Sequence, residues 1–195
     1  MKRMIVLFGA LLISSGLLVA CSSSSDSEIS DEITPKEQEK NEIDDRSSGN
    51  FQDQTNLKIG DSGQAESTLG QYEITIESVK MVDELDGEVP MFDHLFITDV
   101  TIKNIGDVAI DATETIDSLE LTDSLDGSGA GDYSSYYSSI TPLTGTIEPG
   151  QSITGQAVFE GRESGTYFIR VISGLIAAGG VKNETTWTFD KTEAE

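Results

Sequence analysis

The segment Gln71-Tyr72-Glu73-Ile74-Thr75-Ile76-Glu77-Ser78-Val79 constrains the fold more than any other part of the chain. Apolar Tyr72, Ile74 and Ile76 alternate with polar Glu73, Thr75 and Glu77, so an extended backbone places one set against a core and the other in water. A strand of this kind belongs to an antiparallel sheet with one covered face. Leu95 to Asn104 is apolar on both faces at its start and alternates later, as a central strand does, and it ends in the turn cluster Asn104-Ile105-Gly106-Asp107. Val108 to Ala112, Leu119 to Thr122, Ser152 to Phe159, Thr166 to Ile172 and Thr185 to Phe189 supply further strands. Glu148-Pro149-Gly150-Gln151 reads as a tight turn joining a strand near Thr144 to Ile147 to the strand from Ser152, because Pro presets φ and Gly accepts positive φ. Trp187 and Phe189 share one face of the last strand, which predicts that both are core. No segment has a good amphipathic helical period, and Ile172 to Val181 is too rich in glycine for one. The expected class is all-β, an antiparallel β-sandwich of about seven to nine strands.

Cysteine usage decides how such a sandwich must be stabilised. Cys21 is the only cysteine, so no intrachain disulfide is available and an ordinary hydrophobic core must suffice. Lys2-Arg3 precede an apolar stretch from Met4 to Val19, and Ser14-Ser15-Gly16 interrupt it short of the roughly 20 apolar residues of a spanning helix. Leu18-Val19-Ala20-Cys21 resembles the lipobox of bacterial lipoproteins. That resemblance implies cleavage before Cys21 and a fatty acyl (palmitate-type) lipid on its sulfur. Two or more acyl chains hold a protein stably on a bilayer, whereas one holds it marginally. The expected location is the outer face of the cytoplasmic membrane, with Ser22 leaving an outer-membrane destination open.

The chain is strongly acidic. Without residues 1–20 it has 10 basic and 35 acidic side chains, a formal charge of −25. Such a surface repels nucleic acid and anionic headgroups, so membrane attachment falls to the acyl chains. Residues 22–56 combine ten acidic and three basic groups with scattered Ile29, Ile33, Ile43 and Phe51 and no sustained period. They read as a disordered tether, with an end-to-end distance of about 30–35 Å if uncharged and more with self-repulsion. The expected organisation is therefore a signal peptide at 1–20, a lipidated cysteine and acidic tether at 21–56, a sandwich at 57–191 and a short tail at 192–195.

A family resemblance rests on strand and turn patterns. They are Leu57-Lys58-Ile59-Gly60-Asp61-Ser62, Tyr72 to Ile76, Leu95 to Asn104 with its Asn-Ile-Gly ending, Leu121-Thr122-Asp123 and Gly145 to Glu160. Together these resemble the telokin-like, immunoglobulin-fold domain of unknown function 4352, common in lipoproteins of Gram-positive bacteria. The resemblance covers most of residues 57–190, apart from the loops Met81 to Pro90 and Gly127 to Ser139. It implies an immunoglobulin-like sandwich that is secreted and non-catalytic.

Residues that could carry chemistry are few. Gly60-Asp61-Ser62-Gly63 repeats the tetrapeptide around a protease nucleophile, but the only histidine, His94, follows it, against the order of chymotrypsin-like enzymes. His94 lacks a second His or free Cys for a zinc site, and its place at a strand start predicts a core-edge or solvent-facing imidazole. Two acidic loops carry oxygen donors suited to calcium: Asp83 and Asp86 in one, and Asp123, Asp126 and Asp132 in the other. Neither follows the EF-hand register, and in a chain this acidic solvated hairpin loops account for such runs without a metal. Tyr133-Ser134-Ser135-Tyr136-Tyr137 is the candidate contact patch, and the alternative is a strand that packs one or two of these tyrosines on the core. In an extended chain Tyr133 and Tyr137 share a face and Tyr136 takes the other.

These observations predict a membrane-anchored binding module, not an enzyme and without a cofactor, that contacts an unidentified protein, peptide or glycan. Calcium-dependent adhesion or envelope-glycan binding through the acidic and tyrosine-rich loops is the alternative. An envelope hydrolase would need a nucleophile–base pair or convergent acids.

Overall fold

A computed structural model describes residues 50–194. Leader, lipobox and lipidation residues Leu18, Val19, Ala20 and Cys21, and most of the expected tether, lie outside the described residues. Ten strands form between Gln54 and Asp190: β1 Gln54–Leu57, β2 Ser62–Ser67, β3 Gly70–Val82, β4 His94–Asn104, β5 Ile110–Asp111, β6 Leu119–Thr122, β7 Thr146–Ile147, β8 Ser152–Gly161, β9 Thr166–Val171 and β10 Thr185–Asp190. One four-stranded sheet has the order β1-β10-β9-β6, the other β2-β3-β4-β8, and β5-β7 is a separate ribbon. The architecture is the expected all-β, immunoglobulin-like sandwich.

Alternation places the core as anticipated. Tyr72, Ile74 and Ile76 of β3 face Phe96, Val100 and Ile102 of β4 and the inner residues of the opposite sheet, all essentially inaccessible. A bulge between Ile76 and Ser78 shifts the register against β4, so Val79 rather than Ser78 returns to the inner face. Leu95 and Val158 point the other way, into a second cluster with Ile140 that Tyr137, Leu85 and Ile97 cover. This explains why β4 is apolar on both sides at its start: a loop layer roofs the outer face of that sheet.

Trp187 and Phe189 are core, and Trp187 has a built seat. Its Nε1 donates to the Asp61 carbonyl at 2.9 Å, and its ring lies against Gly63. The protease-like tetrapeptide is therefore a turn at Gly60-Asp61, with Gly60 at φ 94°, that runs into the start of β2 and receives the indole.

Several expectations need correction. The strand expected at Val108 to Ala112 shortens to β5, Ile110–Asp111, and α1 follows at Ala112–Ile116. The Asp111 carboxylate accepts from the Thr113 and Glu114 amides, and Ala112 and Ile116 are buried, which fixes this single turn. The glycine-rich stretch also makes a short helix, α2 Ser173–Ala177. Gly179 at φ 73° closes it, with Gly180 N donating to Leu175 O and Gly179 N to Ile176 O. The Pro149-Gly150 turn forms as expected, with Gly150 at φ 78°, and joins β7 to β8; β7 itself pairs with β5.

The boundaries move as well. Ordered sandwich structure starts before Leu57, because β1 pairs in parallel with β10 and Gln54 exchanges side-chain hydrogen bonds with the Gln64 backbone. At the other end the expected tail is packed: Lys191–Glu193 is a 3-10 turn, Ala194 is buried, and its carbonyl accepts from Met81 N at 2.7 Å.

The seat of Trp187 yields a stability prediction. A Cβ on Gly63 would stand 2.4 Å from the Thr185 methyl and 2.8 Å from the Trp187 ring. Gly63→Ala is expected to cost about 1–3 kcal/mol in urea unfolding followed by tryptophan fluorescence. Gly165→Ala, where a Cβ meets nothing within 4 Å, should change stability by less than about 0.5 kcal/mol.

Candidate binding face

The exposed edge of β8 is not left open. Tyr133 N donates to Val158 O at 2.7 Å, Val158 N to Asp132 Oδ1 at 2.8 Å, and Gln156 N to Thr141 O at 2.7 Å, so residues 132–142 run along it. This covers a sheet edge that would otherwise template unwanted pairing. Asp132 also accepts from the Ser134 amide and hydroxyl, which bends the chain into a 3-10 turn at Ser134–Tyr136.

That turn corrects the expected disposition of the tyrosines. The segment is not extended, and Tyr133 and Tyr136 stand together, with ring centroids 6.1 Å apart. Tyr136 is 80 % exposed, whereas Tyr137 turns inward onto the Leu95–Val158 cluster. Desolvation is the main cause that pushes the Tyr137 phenol above its ordinary pKa, with Glu160, Glu88 and Asp86 adding to it.

The β3–β4 loop sits beside this segment. Asp86-Gly87 forms a tight turn with φ of 55° and 85°, and Leu85 and Glu88 exchange backbone hydrogen bonds around it. The Asp86 carboxylate accepts from Ser139 N at 2.9 Å and Ser138 Oγ at 3.0 Å, and these bonds hold it below the usual carboxylate range. Beyond the turn the loop presents Val89 at 72 % and Met91 at 86 % exposure. Phe92 lies under the Arg162 guanidinium, 5.0 Å from ring centroid to Cζ, and Met91 N donates to Glu160.

The expected calcium residues do not converge. Asp132 spends both oxygens, and Asp86 its Oδ2, on the bonds just described, while Asp83 meets His94. Among the described residues no group of three His, Cys, Asp or Glu side chains is placed to hold a metal ion, Asp123 and Asp126 included.

Two polar constructions that sequence reasoning missed hold the loops. In the first, Arg170 and Glu120 pair across β9 and β6 with both side chains under 10 % exposed. Arg170 Nε lies 2.9 Å from Glu120 Oε1, Nη1 donates to Leu125 O at 2.7 Å, Nη2 donates to Gly127 O, and Glu120 Oε2 accepts from Gly129 N. All three guanidinium nitrogens and both carboxylate oxygens have a partner, which is what a buried ion pair needs to be tolerated. The loop carrying Asp123 and Asp126 is thereby fixed by its carbonyls.

The second is centred on His94. Nδ1 lies 2.9 Å from Asp83 Oδ1 in the β3–β4 loop, and Nε2 lies 2.7 Å from Glu163 Oε2 in the β8–β9 turn. Glu163 also receives Lys191 Nζ at 2.8 Å and its amide donates to Asp93. The imidazole is thus at the core edge, as anticipated, but clamped between carboxylates. Hydrogen bonding to Glu163 raises its pKa above 6.5, with Asp83 adding to it against desolvation. Lys191 and then His94 lower that of Glu163.

No family model matches the chain, and no curated protein matches it. Solved structures do. The putative lipoprotein ycdA of Bacillus subtilis superposes with a TM-score of 0.50 at 14 % identity over 69 % of this chain and 39 % of that one. The yjhA protein of Bacillus subtilis gives 0.45 at 18 % identity over 69 % and 99 %, and the secreted protein MPT63 of Mycobacterium tuberculosis gives 0.48 at 14 % over 68 % and 96 %. The chain spans about two fifths of the length of ycdA. What is shared with ycdA is the fold.

The clamp makes stability depend on pH. Because the folded state raises the His94 pKa, its contribution is complete below the unfolded value of about 6.5 and is lost as pH climbs through the folded value. The lowered pKa of Glu163 works oppositely: its contribution is present above its ordinary value and is lost as pH falls through the folded one. The melting temperature should therefore decline as pH rises above about 6.5. His94→Gln is expected to remove that decline, and an identical slope in both proteins would show that the clamp contributes nothing.

Proposed function

We propose that the chain is a lipid-anchored, extracytoplasmic binding module with no catalytic role, of the domain of unknown function 4352 type, displayed on the outer face of the cytoplasmic membrane. The lipobox-like Leu18 to Cys21 supports the anchor, and the description of ycdA as a lipoprotein agrees with the location. The observation that carries binding is the loop face: Val89, Met91 and Tyr136 stand out from loops whose backbones are hydrogen-bonded to β8 and to each other. A contiguous apolar patch rimmed by polar residues marks a contact surface, and we read these side chains as such a patch. Asp83, Glu84, Asp86, Glu88 and Asp93 occupy the same loop. The partner surface that complements it is a protein or peptide segment combining apolar and basic side chains.

The non-catalytic part is supported by where the chemistry-bearing groups are spent. Ser62 Oγ pairs with Thr75 Oγ1 at 2.7 Å, and both ring nitrogens of His94 are engaged by carboxylates. Neither arrangement leaves a base beside a nucleophile.

Chemical cross-linking on intact cells tests the proposal. The wild-type chain should give discrete cross-linked neighbours, and Met91→Ser with Tyr136→Ser should deplete them at least about tenfold, since such anchors are worth 1–2 kcal/mol or more each. Cys21→Ala should release the protein from the membrane fraction. Neighbours unaffected by the loop substitutions would refute binding through this face, and membrane retention of Cys21→Ala would refute the anchor.

A further inference from the structure

Away from the loop face, a cavity of about 400 Å³ opens between the β2–β3 turn, α1 and the segment after α2. Leu69 and Leu175 form its walls, Tyr72 and Ser118 its floor, and Glu114 and Asp117 stand at its rim. Its size is within the range of small-molecule sites, which are apolar with a few placed polar groups.

The floor holds an unusual group. Tyr72 is fully buried, and its hydroxyl makes no hydrogen bond within the protein. Ser118 and Ser67 are its polar neighbours, yet both hydroxyls donate elsewhere: Ser118 Oγ to Thr115 O at 2.6 Å, and Ser67 Oγ to Gly70 O at 3.4 Å while it accepts from Leu69 N at 3.0 Å. Burying a phenol whose hydroxyl is left unpaired costs free energy that phenylalanine would avoid. A tyrosine is useful there if its hydroxyl meets something that enters the cavity.

The rim specifies the charge of that entrant. Asp111, Glu114 and Asp117 all lie along α1 and its caps, and no Lys or Arg lines the cavity. Desolvation first, then the neighbouring carboxylates Asp132, Asp111 and Glu114, raises the Asp117 pKa. A cation relieves that repulsion, and an anion adds to it.

We infer that this cavity binds a small organic ammonium with an apolar body and a hydroxyl at its far end, the ammonium at Glu114 and Asp117, the body between Leu69 and Leu175, and the hydroxyl on Tyr72. The N–H donors form charge-assisted hydrogen bonds with the carboxylates, which are the stronger contacts, while the floor contact selects among amines. Nothing in this site depends on the loop face, so either can fail alone.

The test is calorimetric titration of the full chain with three probes of one shape: tyramine, phenethylamine and 3-(4-hydroxyphenyl)propionate. Tyramine should bind most tightly, phenethylamine about three- to tenfold more weakly through loss of one hydrogen bond, and the carboxylate not measurably. Tyr72→Phe should keep or raise the melting temperature, leave phenethylamine binding unchanged and reduce tyramine to the same affinity. Asp117→Asn, at an exposed position, should weaken both amines about five- to tenfold. The inference is overturned if no amine binds at millimolar concentration, if the carboxylate binds as well as tyramine, or if Tyr72→Phe leaves the tyramine preference intact. Should Tyr72→Phe fail to fold, the probe series on the wild type and Asp117→Asn still decide the charge selectivity.

Discussion

The two sheets are joined by aromatic rings. With Cys21 the only cysteine, the domain has no disulfide between its layers. Phe96 of β4 instead meets Tyr167 of β9 at 4.7 Å and Phe189 of β10 at 6.2 Å between centroids, and Tyr167 stacks on Phe189. Contacts of this kind add about 0.5–1.5 kcal/mol each beyond the area they bury. The same rings organise the loops. The Tyr167 hydroxyl donates to Arg162 O and accepts from Ser164 N, which sets the β8–β9 turn and delivers Glu163 to His94. A core contact thus reaches the surface through one phenol.

Around this core the polar groups form an outer scaffold. The Arg170–Glu120 pair holds one loop by its carbonyls, Asp132 holds the tyrosine turn, and Asp86 ties that turn to the β3–β4 loop. Removing one partner from a buried pair of this type costs about 3–5 kcal/mol, because the other charge stays buried. The high content of Asp therefore has two meanings here. Some aspartates keep the surface acidic, and others accept backbone N–H groups that no strand could satisfy.

How far the sequence could be read depended on where the information lay. β3 and β4 were legible because alternation is a local property, and Trp187 with Phe189 because two residues apart means one face. β1 was not, since Gln54 is held by the Gln64 backbone and Asn183 by an amide network instead of by apolar alternation. α1 is one turn long, too short for a period, although Asp111 three residues before Glu114 is a cap signal visible in retrospect. The bend of the tyrosine segment is not legible locally, because the Asp132 carboxylate sets it by binding Ser134 N and Val158 N, and Val158 lies 26 residues away. The partners of His94 come from 11 and 69 residues away, and only strand register brings them together. The unpaired hydroxyl of Tyr72 has no sequence signature, because tyrosine at an inward strand position reads simply as core.

Binding through the loop face is the central claim, and site-specific photo-cross-linking in living cells tests it most directly. A photoreactive amino acid replaces Tyr136 in one protein and Pro149, at the turn entering β8, in another. The account predicts a discrete cross-linked species from position 136 and none from 149. Equal cross-linking from both positions, or none from 136 while the protein remains folded and membrane-bound, would contradict it.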